Sequence, residues 1–199
     1  MKQIFVIGGM GSGKSTASHA LVDQGLALID LDKVGHDILK WDIVKDDLVE
    51  AFGEDILDES GEVSRKALAA KAFATPADTR KLNRITMPRI EEAFTVMIEE
   101  LEAKGTDAVV VEYSVFRNRE TSLAYGADVV IAVLAPIDLR IERAVASGFE
   151  EEDVRQRIAR QITDADRVEA ADVVFNNDSS KEELANDVIT WWKSYSSGS

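Results

Sequence analysis

Apolar positions fall into two patterns along this chain, and they alternate. Short runs that are apolar almost throughout occur at residues 2–7, 26–30, 108–113 (AVVVEY), 128–135 (DVVIAVLA) and 172–175 (DVVF). Their length and Val/Ile content predict strands, the first of them of buried type. Between the first two, residues 14–24 predict a helix ended by Gly25. Strand, helix and strand within some thirty residues make a right-handed βαβ unit with a parallel sheet.

From residue 33 to 105 the spacing becomes helical and no strand-like run intervenes. KVGHDILK, DIVKDDLVEAF and RKALAAKAFA follow one another around a turn through ESG, and an amphipathic segment covers 88–104. Thr75 and Pro76 mark another helix start, with Thr75 capping and Pro76 in the first helical position. Pro136 opens a charged helical stretch broken at Gly148. Ser180 with Glu183 forms a capping box for a closing helix whose Trp191 and Trp192 read as core packing, and SSGS reads as a frayed tail. The expected organisation is a single domain over 1–199: a core at 1–32, 106–136 and 170–199, a helical insertion at 33–105 and a lid at 137–165.

Composition narrows the function. With 199 residues the chain is long enough for a sizeable core, and with no cysteine it holds neither a disulfide nor a thiolate metal site. No apolar run is long enough to span a bilayer, and the first residues lack a signal-peptide core, so a cytoplasmic location with no membrane partner is expected. A formal charge of −14 argues against nucleic acid as a partner, which calls for a basic footprint. It also makes local cations decisive for any anionic ligand, since distant repulsion is screened beyond about 8 to 10 Å. Lys14, Arg65, Arg143, Arg157 and Arg160 are the candidates.

The strongest chemical signal is GGMGSGKST, Gly8 to Thr16, between a strand and a helix. Gly8, four residues, Gly13, Lys14 and Ser15 satisfy the phosphate-loop pattern in the context it requires. Gly9, Gly11 and Gly13 leave the backbone amides of this loop, Ser12 included, open to an anion, and the helix behind aims its positive end the same way. Lys14 is then expected to reach the β- and γ-phosphates of a nucleotide such as ATP. Ser15 is expected to hold Mg²⁺, and Thr16 to complete the cradle.

Downstream acids stand at strand ends, where a parallel sheet places its ligands. Asp32, beside Asp30, is positioned to accept the proton of an attacking hydroxyl, and the alternative for either is a cap on a helix beginning near residue 33. Glu112 ends VVVE, where phosphate-loop enzymes often place an acid that contacts Mg²⁺ directly or through water; a structural role is equally open. Arg140, Arg143, Arg155, Arg157 and Arg160 interleave with glutamates, so most read as solvated ion pairs, with one or two closing over a triphosphate. His19 reads as structural, and neither it nor His36 has a second histidine at metal-ligand spacing.

With these residues in view, the chain resembles dephospho-coenzyme A kinases over nearly its whole length. The resemblance is carried by GGMGSGKST, by IDLDKVGH with Asp32 and His36, and by FGEDILDESGEVSRKALAAKAF with Arg65. LNRITMPRI, RIERAV, RQRIARQ and AADVVFNN continue it. It implies an α/β fold, a P-loop kinase-like three-layer sandwich with a mostly parallel five-stranded sheet, an inserted helical substrate subdomain and a lid. It further implies transfer of the ATP γ-phosphate to the ribose 3′-hydroxyl of dephospho-coenzyme A by a monomer or small homo-oligomer. On that pattern Asp32 is the base, Lys14 and Arg143 act on the phosphates, Asn177 falls in the segment that lies against adenine, and His36, Arg65 and Glu112 face the acceptor. VVEYSVFRN, Met87 and Ser147 depart from the family pattern. Two further readings stay open: a phosphate-loop kinase for a nucleotide or sugar acceptor, and a nucleotide-binding protein that transfers nothing.

Overall fold

The apolar runs pair as one parallel sheet. β1 (Lys2–Gly8), β2 (Ala27–Asp30), β3 (Ala108–Tyr113), β4 (Val129–Leu134) and β5 (Val173–Asn176) lie in the order β2-β3-β1-β4-β5, every neighbouring pair parallel. The computed structural model describes residues 1–116, 118, 120–121 and 123–198. β3, β1 and β4 occupy the middle and are buried nearly throughout, as continuous Val/Ile runs covered on both faces require. The edge strands β2 and β5 have four residues each.

Helices flank the sheet. α1 (Lys14–Val22) packs with α9 (Lys181–Ser197), and Ala17, Leu21, Leu184 and Val188 join Ile4, Val6, Val110, Ile131 and Val133 in one core. Trp191 and Trp192 pack against that core, as expected of them. α9 starts at Ser180, whose Oγ accepts from the Glu183 amide, and it continues through Ser197, so the tail expected to fray is helical as far as that residue. The charged stretch forms α6 (Ile137–Ala146) and α7 (Glu151–Arg160), separated at Gly148. α8 (Asp164–Ala170) follows and packs on β4 and β1. A capping box between Thr163 and Asp166 starts it.

The backbone divides into two compact units, Met1–Asp30 with Glu100–Ser199, and Leu31–Glu99. The second unit holds α2 (Leu31–Asp37), α3 (Asp42–Phe52), α4 (Arg65–Ala72) and most of α5 (Pro76–Ala103). Val44, Leu48 and Phe52 of α3 pack with Ile56 and with Leu68 and Ala72 of α4. α5 corrects the sequence reading: it runs through Pro88 instead of starting there. A proline inside a helix forfeits its own N–H bond, here to the carbonyl four residues back, and the flanking turns carry the helix on. The start expected at Thr75 is present, with the Asp78 amide donating to Thr75 Oγ1 at 3.1 Å.

Among the described residues no helix is long and apolar enough to cross a membrane.

Candidate functional site

In the first unit, β1 runs straight into the phosphate loop. The register pairs Ile7 with Tyr113, Gly8 with Val133 and Asp30 with Glu112, so the ends of β1, β2 and β3 form one rim. α1 opens at Gly13, whose φ of 102° is left-handed and suits glycine alone. No side chain caps that helix start and no acid occupies its first turn, so its amides and positive end are left for an external anion. Lys14 is buried, with Nζ donating to the Gly9 carbonyl at 3.5 Å. Ser12 is buried too, and its Oγ makes no hydrogen bond. Ser15 Oγ donates to Glu112 Oε1 at 2.8 Å, joining two groups that lie 97 residues apart in sequence. Thr16 follows in the first turn of α1, and His19 Nδ1 donates to the Ser15 carbonyl at 2.6 Å.

Asn177 and Arg143 meet on the other side of the loop. The Asn177 amide group, 1% exposed, donates to the Ser12 carbonyl at 2.8 Å and would collide with any side chain at position 13. Arg143 donates to the Asn177 carbonyl at 3.1 Å, to Asn177 Oδ1 at 3.3 Å and to the Ser179 carbonyl at 3.2 Å. Its guanidinium therefore braces the turn after β5. Ser147 ends α6, with its hydroxyl donating to the Arg143 carbonyl.

Arg140, read from sequence as one of five arginines of which most are solvated and one or two close over a triphosphate, is 3% exposed. Its Nε donates to the Met10 carbonyl at 2.9 Å and its Nη2 to Gln161 Oε1 at 3.3 Å. Burial pushes the guanidinium pKa down; Asp164 pulls it back up and Arg167 pushes the same way as burial. Sequence reasoning missed this residue. The available signal was position: Arg140 lies on the inward face of α6 with Ile141 and Ala144.

The second unit carries the remaining candidates. Asp32 is exposed in the first turn of α2, which begins at Leu31, two residues earlier than the helix start expected from sequence. His36 and Arg65 line one groove of about 600 Å³ together with Leu39, Lys40, Glu62 and Val63. There Lys40 pairs with Asp37 at 2.7 Å and Glu62 with Lys45 at 3.6 Å, so Arg65 is the guanidinium the groove presents. Met87 lies within α5 of the same unit, and Tyr113, in the first, packs edge-on against Phe5 and Phe116.

No group of three or more His, Cys, Asp or Glu side chains among the described residues is placed to hold a metal by itself. The hydroxyl and carboxylate of Ser15 and Glu112 fit a different arrangement, in which a hard cation takes one or two protein oxygens and completes its shell with phosphates and water.

Comparison with known proteins agrees with this architecture. The model of the dephospho-CoA kinase family matches residues 3–183. A dephospho-CoA kinase of Corynebacterium efficiens is 42% identical over 186 residues, 92% of each chain. A solved structure from Thermus thermophilus superposes with a TM-score of 0.80 at 25% identity, covering 97% of both chains. The dephospho-CoA kinase of Campylobacter jejuni shares the fold with a TM-score of 0.72 at 23% identity, covering 100% of this chain and 99% of its own. With the family pattern extending from β1 into α9, and a phosphate loop open at the head of α1, the chain belongs to the dephospho-CoA kinase family.

Proposed function

We propose that this protein transfers the γ-phosphoryl group of ATP to the ribose 3′-hydroxyl of dephospho-coenzyme A, giving coenzyme A and ADP. The observation that carries the reading is the uncapped, acid-free start of α1 at Gly13, with Lys14 and Ser15 beside it, in a chain of this family. Amides of Gly9, Gly11 and Gly13 receive the phosphates, that of Ser12 turning to them from the Gly9 carbonyl to which it donates at 3.1 Å; Lys14 neutralises the β- and γ-phosphates, and Thr16 completes the cradle. Ser15, with help from Glu112, holds Mg²⁺, which when bound offsets charge on the β- and γ-oxygens. The segment that contains Asn177 lies against the adenine, anchored by the Asn177 bond to the Ser12 carbonyl, and Arg143 turns from its brace on Asn177 and Ser179 toward the phosphates.

In the acceptor half, Asp32 takes the proton from the ribose 3′-hydroxyl as that oxygen bonds to the γ-phosphorus. The bond from phosphorus to the β,γ-bridging oxygen breaks, and ADP leaves with the electron pair. His36 and Arg65 hold the acceptor's anionic groups, Arg65 through its planar fork. Residues 33–105 serve as the acceptor-binding part and 137–165 as the lid.

A coupled ADP-release assay tests this directly. Dephospho-coenzyme A is expected to outperform every member of a panel of nucleosides, nucleotides and sugars in kcat/KM. Equal or better turnover of any panel member overturns the assignment.

A further inference from the structure

We propose that Arg140 and Gln161 are positioning residues for the nucleotide: together they clasp Met10 and hold the phosphate loop in the shape that receives a triphosphate. This rests on the reading of that loop as the ATP cradle. Met10 stands between Gly9 and Gly11, so the peptide groups on either side of it have more conformational freedom than most. Both are tied down. The Met10 amide donates to Gln161 Oε1 at 3.0 Å, the Met10 carbonyl accepts from Arg140 Nε, and Arg140 Nη2 closes the ring onto the same Gln161 oxygen.

The fit leaves no slack. A Cβ at Gly9 would fall 1.8 Å from Arg140 Nη2, and one at Gly11 would fall 2.2 Å from the Arg140 carbonyl. α6 therefore lies directly against the loop, with Arg140 before α7 and Gln161 immediately after it. The clasp closes the base of the α6–α7 segment.

Two carboxylates accompany the buried guanidiniums. Arg140 and Arg167 are both buried and both face Asp164, at 3.6 Å and 2.6 Å. Arg167 also acts on Asp166, so two carboxylates match the two guanidiniums and what Arg140 gives the loop is its geometry.

The test uses the full-length protein. Gln161→Ala removes the oxygen shared by Met10 and Arg140 and leaves every charge in place; Gln161→Glu keeps an acceptor there. KM for ATP and KM for dephospho-coenzyme A are measured separately, and amide hydrogen exchange is followed along the chain. Gln161→Ala is expected to raise KM for ATP about 5- to 10-fold, the effect of one or two hydrogen bonds, with KM for the acceptor changed less than about twofold. Amides of residues 9–13 should exchange faster while those of β1, β3 and β4 stay protected, and Gln161→Glu should restore that protection. A folded Gln161→Ala protein with wild-type KM for ATP and wild-type exchange at residues 9–13 overturns the clasp. A parallel rise in both KM values with faster exchange throughout the first unit overturns it too, since that marks general loosening. Failure of the wild-type protein to turn over dephospho-coenzyme A would defeat the proposed function instead, while the exchange measurement, which needs no nucleotide, still decides the clasp.

Discussion

The two units build their candidate groups in opposite ways. In the first, Ser12, Lys14, Glu112, Arg140, Arg167 and Asn177 are polar or charged and all buried, with Lys14, Arg140 and Asn177 tied to loop backbone and Glu112 to Ser15. In the second, the buried set is apolar apart from Thr86, and Asp32, His36 and Arg65 stand exposed on that scaffold. Buried polar networks fix geometry and tolerate little change, because a member left unsatisfied is costly. Exposed long side chains adjust to what arrives. On the proposed function, the contrast would give the triphosphate a rigid site and the acceptor an adaptable one.

The largest effect expected from breaking this division is at Asp32. Asp32→Asn should lower kcat by about 10²- to 10⁴-fold, the usual worth of a positioned general base, while ATP affinity measured by titration stays near wild type. Comparable turnover would remove Asp32 from that role. Next comes Arg65→Ala, which should raise KM for dephospho-coenzyme A about tenfold or more with KM for ATP unmoved, as loss of a charge-assisted contact would. A shift in KM for ATP instead would blur the two halves. The smallest effect is on stability alone. Hydrogen bonds from the Ser60 hydroxyl and from the Glu62 and Ser60 amides hold the Asp58 carboxyl below the usual carboxylate range. A depressed folded-state pKa adds stability that is present above the unfolded value and lost as pH falls through the folded one. The difference in unfolding midpoint between wild type and Asp58→Ala should therefore hold steady above about pH 5 and shrink below about pH 4. A gap that widens on acidification would contradict this.

What was legible from sequence was what local pattern encodes. The five strands are near-continuous apolar runs, and the phosphate loop announces itself because its glycines, lysine and serine are consecutive. Thr75-Pro76 marked a helix start correctly, whereas Pro88 misled, because proline suits a first helical turn and is also tolerated in the interior of a long helix such as α5. The capping box of Thr163 and Asp166 was a local signal left unread. The Arg140 and Gln161 contacts with Met10 span 130 and 151 residues, so no window of sequence contains them. The one trace was a charged residue on the inward face of an amphipathic helix, which obliges a partner somewhere in the fold.

The bond between Ser15 and Glu112 has a directional consequence. A hydroxyl has a single proton to give, and here the neighbouring carboxylate receives it, so the oxygen turns lone pairs, and no hydrogen, toward whatever occupies the mouth of the loop. Glutamate at position 112 thereby orients an alcohol as an electron-pair donor. Glutamine would relax that orientation, since an amide both gives and accepts, and the serine would be at liberty to point its hydrogen the other way.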